Sequence, residues 1–285
     1  MRVDVPLRWA DLDAQGHVNN ARYLDYLQDA RADYVHALGL DSLLRDGFTV
    51  LSNQIEYRAP VYFAPEPLAV DITVAAVDEG SVTLGYRLYQ KDVVVAVART
   101  TLSGFDLATR TRRGLPADAR DVFAGLVEPV EPLRDIPWAD LNDRAKVSAM
   151  RVRWGDIDAY GHVNNAMIFD YVQEGRITFT AAPLRGTGDV QDLDHMWFLA
   201  RQDAWYLDRV VFRAAPYIVR TGIARLGRTS VTFSSQVDDP VAGTTCVRAA
   251  AVAVFADAAG HPTPLTGDLR AALRVYELVP GSLGP

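Results

Sequence analysis

Residues Arg8 to Arg31 read RWADLDAQGHVNNARYLDYLQDAR, and Arg153 to Arg176 read RWGDIDAYGHVNNAMIFDYVQEGR. The two segments align without a gap at an offset of 158 − 13 = 145, and 15 of their 24 positions are identical. Average composition would give only about one or two identities by chance over that length. The chain of 285 residues therefore carries one unit twice, and each half is long enough to bury a core of its own. Weaker echoes follow in the same order. Tyr57-Arg58-Ala59-Pro60 matches Phe212-Arg213-Ala214-Ala215-Pro216, Ser81 to Leu84 matches Ser230 to Phe233, and Asp118-Ala119-Arg120 matches Asp268-Leu269-Arg270. This alignment gives copy two a net insertion of roughly ten residues after its helix, including Gly186 to Asp189 and carrying Trp197, Phe198 and Trp205. These aromatics suit either a tunnel wall or a core. A stretch rich in proline and charge separates the copies, so the expected organisation is a first domain over 1–126, a linker over 127–146 and a second domain over 147–285.

Composition narrows the function classes. With 29 Lys+Arg against 36 Asp+Glu the formal charge is −7, which argues against a general binder of nucleic acid or of an anionic membrane. The single cysteine, Cys246, excludes an intrachain disulfide and a Cys-rich zinc site, and its apolar surroundings suit a buried small residue. Charge interrupts the apolar runs near the N-terminus, and no apolar run reaches the ~18 residues needed to span a bilayer. A cytoplasmic protein without a membrane span is the expectation.

Periodicity assigns the elements inside each copy. Val3 to Trp9 and Val147 to Trp154 read as strands running into a Gly-containing loop. A helix should follow, with Leu24, Leu27, Arg31, Tyr34 and Leu38 at helical spacing and Gly39 as a stop, only the stem of Arg31 joining the apolar stripe. Ile168, Val172 and Phe179 repeat the stripe in copy two. Strand-rich runs come next, Phe48 to Phe63, Leu68 to Gln90 and Val93 to Phe105, then a short helical segment from Ala117 to Leu126. Ala251 to Phe255 is the matching late strand of copy two. One long helix followed by hairpin-connected strands predicts an α+β chain of two tandem domains, each an antiparallel sheet wrapped around one helix.

The order strand, D-x-D-x-x-G-H-V-N-N, helix, antiparallel meander resembles the hotdog fold of the 4-hydroxybenzoyl-CoA thioesterase family, and the chain resembles a fused pair of such domains. The resemblance implies hydrolysis of an acyl-CoA, or of an acyl-carrier-protein thioester, without metal or redox cofactor. It also implies an intramolecular pseudo-dimer of the two domains, to which further homo-oligomerisation can be added.

Asp13 and Asp158 match the family's acidic residue and can attack a thioester carbonyl or activate water. The plain structural alternative is an Asx turn. Asp11 and Asp156, two positions earlier, could raise a neighbouring carboxyl's pKa but read as solvent-facing supporting carboxylates. His17 and His162 can orient the carboxylate, hydrogen-bond the substrate carbonyl or fix the loop; no His or Cys cluster accompanies them to suggest zinc. Gly16 and Gly161 permit a left-handed turn. Asn19, Asn20, Asn164 and Asn165 fit the helix start, where Asn is a good N-cap and free amides face an oxyanion favourably. The family's carbonyl-polarising amide maps by spacing onto Asn20 and Asn165, with the amides of Ala21 and Ala166 as neighbours in contention. Asn19 and Asn164 are also candidate substrate contacts, as are Arg58 and Arg213, which could meet nucleotide phosphates or simply be solvated. Tyr26, Gln28 and Arg31, with Tyr171, Gln173 and Arg176, recur on the helix; Gln28 and Gln173 could face the site, but all six read as core or surface helix residues. Two other readings compete with hydrolysis: an acyl-CoA hydratase or dehydratase of the same fold, and a non-catalytic acyl-CoA-binding protein.

Overall fold

The computed structural model describes residues 1–185, 195–257 and 259–279. The chain divides into two compact units, Met1–Leu133 and Arg134–Pro285. In the first, β1 (Arg2–Val5) precedes the helix α1 (Tyr23–Ala37) and a short α2 (Asp41–Asp46). The strands β2 (Phe48–Tyr57), β3 (Leu68–Val77), β4 (Ser81–Gln90) and β5 (Val93–Asp106) follow, then β6 (Thr111–Arg113) and α3 (Ala117–Ala124). The second unit repeats the series as β7 (Lys146–Met150), α4 (Asn165–Arg185), β8 (His195–Tyr206), β9 (Tyr217–Leu226), β10 (Ser230–Asp239), β11 (Thr244–Asp257) and α5 (Gly267–Arg274).

The sheet of the first unit runs β1-β3-β4-β5-β2 and is antiparallel throughout, with β6 paired to β5. The second runs β7-β9-β10-β11-β8, the same order strand for strand. Both units are hotdog domains, as the strand and helix pattern predicts. Leu68, Val70, Ile72 and Val74 alternate as the buried face of β3, the period of two expected of a sheet covered on one side. The covering element is α1, which packs against β1 and β3, while α4 packs against β7, β9 and β10. Leu24, Leu27 and Tyr34 of the anticipated stripe are buried, each contributing on the order of 1.5–3 kcal/mol by leaving water. The helix ends just before Gly39, with the Leu40 amide bonded back to the Val35 carbonyl.

Several expectations change. Arg31 is buried whole, at 6% exposure, and its Nη1 lies 3.4 Å from the Tyr86 hydroxyl. Its counterpart Arg176 reaches Gln202 Oε1 at 3.3 Å. The backbone bonds also correct the alignment after the helices. The amides of Arg58 and Ala59 bond to the Val95 carbonyl, whereas those of Leu207 and Asp208 bond to the Cys246 carbonyl. The Val18 amide bonds to Val61, and the Val163 amide to Val210. Tyr57 therefore corresponds to Tyr206, at an offset of 206 − 57 = 149, and Arg58 corresponds to Leu207, not to Arg213. The net insertion in copy two is 149 − 145 = 4 residues, not roughly ten. Trp197, Phe198 and Trp205 are not in it: they lie on β8, the equivalent of β2. The Gly186 to Asp189 segment lies outside the described residues, as does the side chain of Phe179. Among the described residues no helix is long and apolar enough to cross a membrane. Cys246 is buried, as expected.

Candidate active site

The motif folds into the same loop in each unit. A 3-10 turn, Trp9–Asp11 or Trp154–Asp156, leads into it. The loop then closes on itself. The Asp13 amide bonds to the His17 carbonyl at 2.9 Å and the Gly16 amide to the Asp13 carbonyl at 3.0 Å; the equivalents in the second unit are 2.9 and 3.1 Å. Such a tight closure forces a left-handed residue, and Gly16 and Gly161 supply it at φ +80° and +78°.

Within this loop the carboxylate has two separate tasks. Asp13 Oδ1 accepts the Gln15 amide at 2.8 Å, and Asp158 Oδ1 accepts that of Tyr160 at 2.8 Å. These are Asx turns, so the structural reading of the aspartates is correct for one oxygen. The other oxygen faces histidine: Asp13 Oδ2 lies 3.2 Å from His17 Nδ1 and Asp158 Oδ2 3.3 Å from His162 Nδ1. His17 is held from its far side, with Nε2 2.8 Å from Gln15 Oε1. Burial raises the Asp158 carboxyl above the ordinary carboxylate value, against the opposing pull of His162 and three backbone amides.

The helix starts are organised in parallel. Asn19 Oδ1 accepts the Ala21 amide at 2.9 Å, and Asn164 Oδ1 accepts that of Ala166 at 3.1 Å, so the first asparagine of each pair is the N-cap. Capping occupies the amides of Ala21 and Ala166. Among the described residues no acceptor takes the Asn20 amide. The carbonyl of the second asparagine is also held: Tyr57 donates its hydroxyl to the Asn20 carbonyl at 2.8 Å, and Tyr206 to that of Asn165 at 2.9 Å.

Asp11 and Asp156 brace the loop rather than face solvent. The Asp11 carbonyl accepts the Asn19 amide at 2.9 Å and the Asp156 carbonyl that of Asn164 at 2.8 Å. Tyr26 donates its hydroxyl to Asp11 Oδ2 at 2.7 Å, and Tyr171 makes the same bond to Asp156 Oδ2. The tyrosines that read as ordinary helix residues thus tie the second turn of each helix to the motif.

The arginines stand apart. Arg58 is exposed and paired with Glu56 at 3.1 Å, whereas Arg213 bonds to Asp239 Oδ2 at 2.6 Å and lies over the Tyr217 ring. They do not form a repeated phosphate-binding feature. Tyr57 and Tyr206 were missed for the same reason. Carrying the offset of Ser81 and Ser230, 230 − 81 = 149, back along the chain would have paired them. Among the described residues no group of three or more His, Cys, Asp or Glu side chains could hold a metal ion.

A tandem pair of hotdog domains, each with a carboxylate and imidazole beside a capped helix start, defines a class of protein. A family model described as the thioesterase-like superfamily matches this chain twice, over residues 7–128 and 152–273, and the chain belongs to that superfamily. A relative, the long-chain acyl-CoA thioesterase FadM of Escherichia coli, is 28% identical over 135 residues, covering 45% of this chain and all of that protein. Among solved structures, the 12:0-ACP thioesterase of Umbellularia californica superposes with a TM-score of 0.70 at 14% identity, covering 90% of this chain and 94% of the other. An acyl-ACP thioesterase of Bacteroides thetaiotaomicron gives a TM-score of 0.62 at 14% identity, covering 90% of this chain and 96% of the other. At these identities the two structures carry the likeness of the fold.

Proposed function

We propose that the chain is a cytoplasmic acyl-CoA thioesterase that hydrolyses a thioester to a free acid and CoA thiol at two centres, one per domain. The observation that carries this reading is the repeated pairing of a motif carboxylate oxygen with a histidine, 3.2 Å in one unit and 3.3 Å in the other, next to an N-capped helix start. Asp13 Oδ2 or Asp158 Oδ2 either takes a proton from water as the water oxygen adds to the carbonyl carbon, or adds to that carbon itself. In the first route the C–S bond breaks and the thiolate leaves with the proton. In the second, the C–S bond breaks and the thiolate leaves as the mixed anhydride forms; water then cleaves the anhydride, which restores the carboxylate, frees the acid and supplies the proton that the thiolate takes up. The amide of Asn20 or Asn165 steadies the charge that develops on the carbonyl oxygen. His17 and His162 orient the carboxylate. Neither step calls for a metal or redox cofactor. The similarity to a long-chain acyl-CoA thioesterase favours CoA as the carrier, and the acyl groups to be tried at each centre include an aryl group of the 4-hydroxybenzoyl type.

The test is a panel of short-chain, long-chain and aryl acyl-CoAs, with acyl-carrier proteins alongside, read by release of free thiol. The protein's own thiol contributes little background, because burial pushes Cys246 up to about 12. Turnover of at least one thioester is expected. Tight acyl-CoA binding without turnover of any substrate would replace the enzyme by an acyl-CoA-binding protein, and hydration of an enoyl-CoA without thiol release would replace it by a hydratase.

A further inference from the structure

We infer that Tyr57 and Tyr206 are positioning residues for the amides that polarise the thioester, an inference that rests on the hydrolysis proposed above and adds two residues from outside the motif. Each tyrosine is the last residue of its strand, β2 or β8. Each reaches the helix start and donates its hydroxyl to the carbonyl of the second motif asparagine, at 2.8 and 2.9 Å. The Asn20 amide lies between two fixed groups. Upstream, the Asn19 amide is bonded to the Asp11 carbonyl at 2.9 Å; downstream, the Asn20 carbonyl accepts both the Tyr57 hydroxyl and the Tyr23 amide. Asn165 is flanked alike, by the Asn164 amide on Asp156 at 2.8 Å and by Tyr206 on its own carbonyl.

An oxyanion donor is useful only when aimed at the place where charge develops, and its aim must be set before the reaction. With both flanks fixed, the φ and ψ of the asparagine are fixed, and so is the direction of its N–H. The surroundings of the two tyrosines differ: Glu56 and Arg58 flank Tyr57, while Trp205 and Leu207 flank Tyr206. The bond to the asparagine carbonyl is what the two sites share. The Tyr57 ring packs edge-on against Tyr23, centroids 5.1 Å apart, so its hydroxyl can be removed without emptying the space.

The experiment uses the full chain with one centre silenced: Tyr57→Phe in an Asp158→Asn background and Tyr206→Phe in an Asp13→Asn background. Relative to each parent, kcat should fall about tenfold, short of the 10²–10³ typical for deleting a donor outright, with KM changed less than about twofold. The pH profile of kcat/KM should not move, because the Asp–His pair is untouched. Hydrogen exchange across residues 19–23 should quicken in Tyr57→Phe while the later turns of α1 keep their protection. A kcat equal to the parent's, or a loss expressed only in KM or in melting temperature, would make the tyrosines simple braces between strand and helix and overturn the inference. If wild type and both parents release no thiol, the hydrolase reading fails on its own. Hydrogen exchange then decides about the tyrosines, and unchanged exchange at residues 19–23 overturns the inference.

Discussion

Because Asp13 Oδ1 is bonded to the Gln15 amide while Oδ2 faces His17, replacing the carboxylate by an amide can preserve the turn and delete the chemistry. Asn keeps the accepting oxygen of the Asx turn but is neither a base nor a nucleophile. Asp13→Asn and Asp158→Asn should each keep partial turnover. The double variant should lose roughly 10²-fold or more in kcat, the scale for loss of a positioned acid–base group. Circular dichroism checks that the variants fold, and full activity in the double variant would remove both aspartates from the mechanism. The second centre also carries a pH signature. Burial raises Asp158, and the group acts only when ionised, so activity is lost as pH falls through that raised value. In the Asp13→Asn chain the acid limb of kcat/KM should therefore lie above the ordinary aspartate value near 3.9. A limb at or below that value would show that desolvation does not govern this carboxylate.

At the scale of the element, the two long helices meet their sheets differently. Gly175 of α4 occupies the position of Ala30 in α1, since 175 − 30 = 145. A Cβ at Gly175 would come within 2.9 Å of Val219 Cγ1 and 3.2 Å of Thr221 Oγ1 on β9. Helix propensity alone favours Gly175→Ala by up to about 1 kcal/mol. Overpacking against the sheet costs roughly 1–3 kcal/mol and should win, so the variant should melt below wild type; a raised melting temperature would show that α4 can shift away from β9. Elements of this kind were legible in the sequence where periodicity runs long. The stripe of Leu24, Leu27 and Tyr34, the alternation of β3 and the loop glycines all appear as their spacing requires. The six residues of α2 are too few to show a helical period. The register after the helices was misplaced because a local match of Arg-Ala-Pro outweighed the distant Ser81 and Ser230, whereas in the folded chain backbone bonding between strands sets equivalence. Within the site, the aspartates, histidines and asparagines could be named from the motif. Tyr26 and Tyr171 recur with the motif, and Tyr57 and Tyr206 pair once the offset of Ser81 and Ser230 is carried back, but the role of none of them could be read, because a hydroxyl bonded to a distant carboxylate or carbonyl leaves no mark in local spacing.

At the scale of the whole molecule, duplication has kept the motif and varied its neighbours. Beside Tyr57 stand Glu56 and Arg58, an exposed ion pair; beside Tyr206 stand Trp205 and Leu207. The two centres should therefore rank acyl groups differently. Running the thioester panel separately on Asp13→Asn and Asp158→Asn chains should give two unlike orders of kcat/KM, and identical orders would show that these flanks do not touch the substrate. A chain with two unlike centres is, to a kineticist, a mixture of two enzymes locked at a one-to-one ratio that no purification can alter. Its saturation curve is a sum of two hyperbolae, so a plot of rate against rate over substrate concentration bends rather than runs straight. A competitor suited to one centre should silence only that centre's share of the rate, leaving a plateau whose height is fixed by the gene and not by the preparation.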